Sequence, residues 1–116
     1  MTELAHLEVE RLGALCLVRV FGEIDMSNGR DLSSAIEEAV PNEALGLIVD
    51  LTHTTYLDSA GIQVLFVLAE RLRARRQEFT VVVPTDAPTR AVIELTGLPK
   101  VMALQERLGE AHRNGP

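Results

Sequence analysis

The run Leu45-Gly46-Leu47-Ile48-Val49-Asp50-Leu51 constrains this chain more than any other stretch. It is apolar at odd and even positions alike, so a strand there has no face to offer water and belongs inside a sheet covered on both sides. A short junction, Thr55-Tyr56-Leu57-Asp58-Ser59-Ala60-Gly61, leads from it into a mostly apolar segment reaching about Arg76. In that segment Leu65, Leu68, Ala69 and Leu72 recur at helical spacing and should face the sheet. A buried strand handing over to such a helix points to a sheet with crossover helices. An acid, a hydroxyl and two very small residues stand at the joint.

The remaining punctuation extends this pattern. Two alternating runs around Leu12-Gly13-Ala14 read as a hairpin. In its second run Cys16, Val18 and Val20 share one face, and Leu17, Arg19 and Phe21 the other. Cys16 is therefore read as a small core residue and not as a reactive thiol. Ser27 or Asn28 starts a helix whose apolar face is Leu32, Ala35, Ile36, Ala39 and Val40, and Pro41 and Asn42 stop it. A second buried strand runs from Phe79 to Val83 and ends at Pro84. A third helix follows, with Pro88 in its first turn and Gly97 just past its end. Lys100 to Leu104 reads as a short last strand, and Gln105 to Arg113 as a terminal helix. The order predicts an α/β fold with a mixed sheet. A single domain is expected over residues 1–116, with its core at about 7–104 and a tail at 105–116.

Composition narrows the function classes. The 116 residues are 47% hydrophobic, enough for one core without staples. A net charge of -6 disfavours nonspecific nucleic-acid binding, which needs lysine and arginine to neutralise phosphates. Cys16 is the sole cysteine, so no internal disulfide forms, and a reducing, cytoplasmic setting is expected. The opening Met-Thr-Glu-Leu-Ala-His-Leu-Glu-Val-Glu is acidic and unlike a signal peptide. No run approaches the roughly 18 apolar residues of a membrane span.

At the joint, Asp58 or Ser59 is a good helix N-cap, and Gly61 permits close backbone approach. One reading stops there, with a cap and nothing more. The other follows the helix surface. Ser59, Gln63, Phe66 and Glu70 form an outward stripe headed by a hydroxyl. A phosphate on that hydroxyl would meet free N–H groups and the positive end of the helix dipole. It would add a charge of about -1.5 to -2 without unfolding the helix, which switches a binding face.

The segments Phe21-Gly-Glu-Ile-Asp-Met-Ser-Asn28, Leu47 to Leu65 (with Leu57-Asp-Ser-Ala-Gly61) and Val81 to Leu98 (with Leu95-Thr-Gly-Leu98) carry a resemblance. In order and spacing they are similar to the STAS family, and within it to the bacterial anti-sigma-factor antagonists, from about Leu7 to Leu104. The resemblance implies a STAS fold, a mixed four- to five-stranded sheet with helices packed mainly on one face. It implies that Ser59 is the phosphoacceptor and that Asp25 and Asp58 shape the phosphosite. Many members carry a second serine next, where this chain has Ala60. On the outward stripe beside the acceptor, Gln63 and Phe66, with Ile62, are the expected partner contacts, the alternative for Phe66 being packing under a neighbouring helix. The implied partner is an anti-sigma factor with serine kinase activity, released on phosphorylation, with a serine phosphatase resetting the switch. Neither nucleic acid nor membrane is an expected partner.

Other readings are weighed against this one. STAS domains also serve as structural binding subunits of stress-signalling scaffolds and lipid-transport complexes. An enzyme would need a base beside Ser59. The surroundings are not Gly-x-Ser-x-Gly, His6 and His112 lie near the ends, and His53 is a loop histidine six residues away. No cofactor is expected: there is no phosphate-cradling glycine loop, and no His/Cys/Asp cluster with metal spacing. The run Glu70 to Arg76 reads as the solvated end of a helix, with arginines suited to its C-terminus.

Overall fold

The computed structural model describes residues 4–108. The two alternating runs pair antiparallel as β1 (Ala5–Leu12) and β2 (Leu15–Ile24), with Leu12 opposite Leu15 across a two-residue turn. All further pairing is parallel. The first half of β2 pairs with β3 (Gly46–Asp50), and its end pairs with β4 (Thr54–Leu57). Strand β5 (Glu78–Val82) lies beside β3, and β6 (Ala103–Gln105) beside β5. The sheet is thus mixed and six-stranded, in the order β1-β2-β3-β5-β6 with β4 on β2. The strand beyond the expected four to five is β4. It occupies part of what reads as a loop in the sequence, because Thr54-Thr55-Tyr56-Leu57 is too short to show a period.

The parallel strands are joined by α1 (Gly29–Ala39), α2 (Ser59–Ala74) and α3 (Pro88–Glu94), with a 3-10 turn at Leu98–Lys100. The expected start of the second helix at Ser59 is what the structure has, and Leu65, Leu68 and Leu72 are each at most 2% exposed. Each such leucine stabilises the fold by about 1.5–3 kcal/mol relative to exposure. They meet Cys16, Val18 and Val20 of β2 and Leu47 and Val49 of β3 in one core, which also takes Ile36 of α1 and Ile93 of α3. The other face of β2 behaves as its alternation requires: Leu17 joins Leu15, Ile48 and Val82 in a smaller cluster, against which Leu12 and Leu108 pack.

Two local expectations need correction. On α1, Ala35 is exposed, while Ser33 is buried along with Gly29, Leu32 and Ile36. The helix packs against α2 as well as the sheet, which turns its buried stripe toward small residues. At the chain's end, Gln105 belongs to β6, not to a helix, and residues 109–113 of the expected terminal helix lie outside the described residues.

Candidate functional site

Two acids end two adjacent parallel strands. Asp25 follows β2 and Asp58 follows β4. Ile24 pairs with Leu57, and the Asp58 N–H donates to the Ile24 carbonyl at 3.4 Å. Both carboxylates therefore stand at the carboxyl edge of the sheet, where open α/β folds place their sites.

Each acid holds a turn. The Asp58 carboxylate caps α2, accepting from the N–H groups of Ala60 at 2.8 Å and Gly61 at 3.3 Å, and its carbonyl accepts from Ile62 N–H at 3.0 Å. The Asp25 carboxylate accepts from the Ser27 N–H at 2.8 Å and the Ser27 hydroxyl at 2.6 Å. Asn28 closes the turn: its side-chain oxygen accepts from Asp25 N–H at 2.9 Å, and its amide donates to the Glu23 carbonyl at 2.8 Å. The Ser27 hydroxyl, then the Ser27 N–H, hold the Asp25 carboxyl below its ordinary pKa, because they favour its charged form. Among the described residues the Ser59 hydroxyl has no hydrogen-bond partner, so neither acid orients it directly.

Glycines make this joint close. A Cβ on Gly61 would lie 2.3 Å from Leu57 Cδ1 and 3.2 Å from Ile24 Cγ2, so α2 rests directly on β4 and β2. Gly22, within β2, sits at φ +104°, where a Cβ would collide with the Leu4 carbonyl. The register of β2 against β4 shifts at that point.

The expected contact residues separate. Ser59 and Gln63 are exposed. Phe66 is half-buried: it packs on the core and also lines a groove between α2 and the 3-10 turn, with Ala69, Arg73, Lys100 and Val101. Ile62, by contrast, is 9% exposed and belongs to the core. It follows the helix's inward face one position before Gln63, so it supports the contact surface from beneath. A second groove, between α1 and α2, is lined by Met26, Arg30, Ala60, Gln63, Val67 and Arg71. Met26 is 86% exposed at the tip of the Asp25 turn. Its signal in the sequence was an apolar residue inside a capping segment. His53 does not meet Ser59; its ring stacks on Phe21 at 5.0 Å and 3°. His112 lies outside the described residues.

The arrangement offers an exposed hydroxyl in the first turn of α2, a helix that lines both grooves. No helix among the described residues is long and apolar enough to cross a membrane. The chain is similar to known proteins. The anti-sigma-B factor antagonist of Listeria monocytogenes is 32% identical over 95 residues, 82% of this chain and 82% of that protein. The anti-sigma-F factor antagonist RsfB of Mycobacterium tuberculosis is 31% identical over 97 residues, 84% of this chain and 78% of that protein. The crystal structure of an anti-sigma factor antagonist from Mycobacterium paratuberculosis superposes with a TM-score of 0.82 at 34% identity, covering 92% of this chain and 90% of the other. Residues 6–111 match the STAS domain, a span that takes in both acids, the serine and, but for Ala5, all six strands, and the chain therefore belongs to the STAS domain family.

Proposed function

We propose that this protein is an anti-sigma-factor antagonist. Its unphosphorylated form binds an anti-sigma factor that is also a serine kinase, and a sigma factor is thereby freed. Phosphorylation of Ser59 ends the binding, and a serine phosphatase restores it. The observation that carries this reading is the exposed Ser59 hydroxyl, unengaged by any described residue, on a helix end that Asp58 already caps. The partner supplies the catalysis, so this chain is a substrate and binding protein in the cytoplasm, not an enzyme.

The chemistry balances simply. Ser59 Oγ bonds to the γ-phosphorus of ATP, the bond to ADP breaks, and the hydroxyl proton passes to a base on the kinase. The phosphatase hydrolyses the new ester with water. The phosphate brings about -1.5 to -2 charges into the contact surface of Gln63 and Phe66. An unmatched charge within an interface costs several kcal/mol, and about 2.8 kcal/mol is already a hundredfold loss of affinity. Asp25 and Asp58 shape the site by holding the Met26 turn and the first turn of α2.

The test incubates the protein with its anti-sigma kinase and ATP and maps the phosphate by mass spectrometry. Phosphate on Ser59 is expected, Ser59→Ala should bind whether or not ATP is present, and Ser59→Asp should bind at least a hundredfold more weakly. Phosphate on Ser33, Ser34 or a threonine with Ser59 untouched would overturn the proposal. Binding indifferent to both substitutions would favour a structural subunit of a scaffold or a transport complex instead.

A further inference from the structure

Helices α1 and α2 touch at their first turns because Gly29 and Ala60 are small. A Cβ on Gly29 would lie 3.3 Å from Val64 Cγ2 and 3.6 Å from the Ala60 carbonyl oxygen. Arg30 follows that glycine, and Ser59 precedes that alanine. Arg30 lines the α1–α2 groove together with Ala60 and Gln63. Both helices cross over between parallel strands and begin at the carboxyl edge of the sheet. Helical side chains lean toward their own N-terminus, so Arg30 leans toward the end of the molecule where Ser59 stands.

Arg30 is also uncommitted. Among the described residues it makes no ion pair or hydrogen bond. Arg71, farther down the same groove, lies 3.6 Å from Glu37, Arg75 bonds Val40 and Asn42, and Arg90 bonds Glu94 and Val83. The acids at this edge, Asp25 and Asp58, are both occupied by the turns they hold. A dianion on Ser59 would thus face two carboxylates and one unclaimed guanidinium.

We propose that Arg30 is the counter-ion of the phosphate on Ser59, joining α2 to α1 across the mouth of their groove. The inference rests on the reading of Ser59 as the phosphoacceptor. Guanidinium suits the task because its planar fork meets two phosphate oxygens at once, which an ammonium does not. One modification then changes the surface twice: it adds charge at Ser59 and withdraws Arg30 from any partner.

The test installs phosphoserine at position 59 during translation, so that no kinase is needed, and follows the phosphorus resonance through a pH titration. The second ionisation of the phosphate should occur at higher pH in Arg30→Gln than in the protein with Arg30, by about half a unit for a solvent-exposed pair. Arg30→Lys should fall between them. Arg30 is exposed, so all three proteins should show the same circular dichroism. Identical titrations for Arg30 and Arg30→Gln would overturn the pairing. A kinase that leaves Ser59 unmodified is a separate result: it removes the phosphoacceptor reading, while the titration still reports on the pair.

Discussion

At Gly61 the first side-chain carbon of any other residue would enter the space of Leu57 Cδ1, 2.3 Å away, and Leu57 is itself 5% exposed with no room to retreat. Gly61→Ala should therefore destabilise the protein by about 1–3 kcal/mol, read as a lower urea midpoint at unchanged slope. Asp58 separates a cap from a charge. Asp58→Ala loses the acceptor for Ala60 and Gly61 and should cost about 1 kcal/mol, whereas Asp58→Asn keeps an acceptor and should cost much less. For Asp25 the sign follows from the lowered pKa. Its contribution is full above the ordinary carboxylate range and is lost as pH falls through the lowered value. Ser27→Ala removes the main cause, so a carboxyl NMR titration should find Asp25 moved back up toward its ordinary value. The sequence makes Asp58 and Gly61 legible as a candidate site, since an acid, a cap and very small residues at a strand–helix joint are unusual together, whereas Asp25 enters only through the family resemblance. It does not reveal the division of labour, because which oxygen meets which N–H depends on turn geometry. Ile62 and Gln63 show the same limit: adjacent positions on one helix differ by about 100° in direction, and the wall that buries Ile62 comes from distant sequence.

Among the elements, β4 is what sequence periodicity does not supply. Four residues are too few for alternation to register, and its pairing with β2 supplies the evidence that a local window lacks. Thr54 shows how the strand is fastened. It is 3% exposed, and its hydroxyl donates to the Val20 carbonyl at 2.8 Å, at the point where β2 leaves β3 and has not yet met β4. Thr54→Val preserves shape and removes that donor, so a loss of about 1 kcal/mol is expected by chemical denaturation. Thr55→Val, on an exposed side chain, should stay within about 0.5 kcal/mol. The long elements were legible for the opposite reason. Across α2, four apolar positions repeat over about two turns, and the structure buries all four of Leu65, Leu68, Ala69 and Leu72. Helix α1 departs from its expected buried face because it answers to two neighbours at once, so Ser33 is buried and Ala35 is not.

For the whole molecule, the parallel pairing of β2 with β4 makes α1 and α2 start at one edge of the sheet, which carries the two acids, Ser59 and Arg30. This architecture separates the proposed phosphoacceptor from the core. Ser59 projects from the first turn of α2, while the residues that hold α2 in place, Leu65, Leu68 and Leu72, lie farther along it and are at most 2% exposed. A negative group at the helix start gains about 0.3–1 kcal/mol from the dipole, and repulsion from Asp25 and Asp58 offsets part of that gain. Ser59→Asp should therefore change global stability by less than about 1 kcal/mol. Amide exchange sharpens the expectation. In both the native protein and Ser59→Asp, the amides of Leu47, Val49, Val81, Leu65 and Leu68 should exchange only by global unfolding, since their side chains form one continuous core. Differences should be confined to the first turn of α2 and the adjoining start of α1. Loss of protection at Leu65 or Leu68, or destabilisation beyond about 2 kcal/mol, would mean that charge at Ser59 acts by melting α2, and the rigid-surface account of the switch would fall.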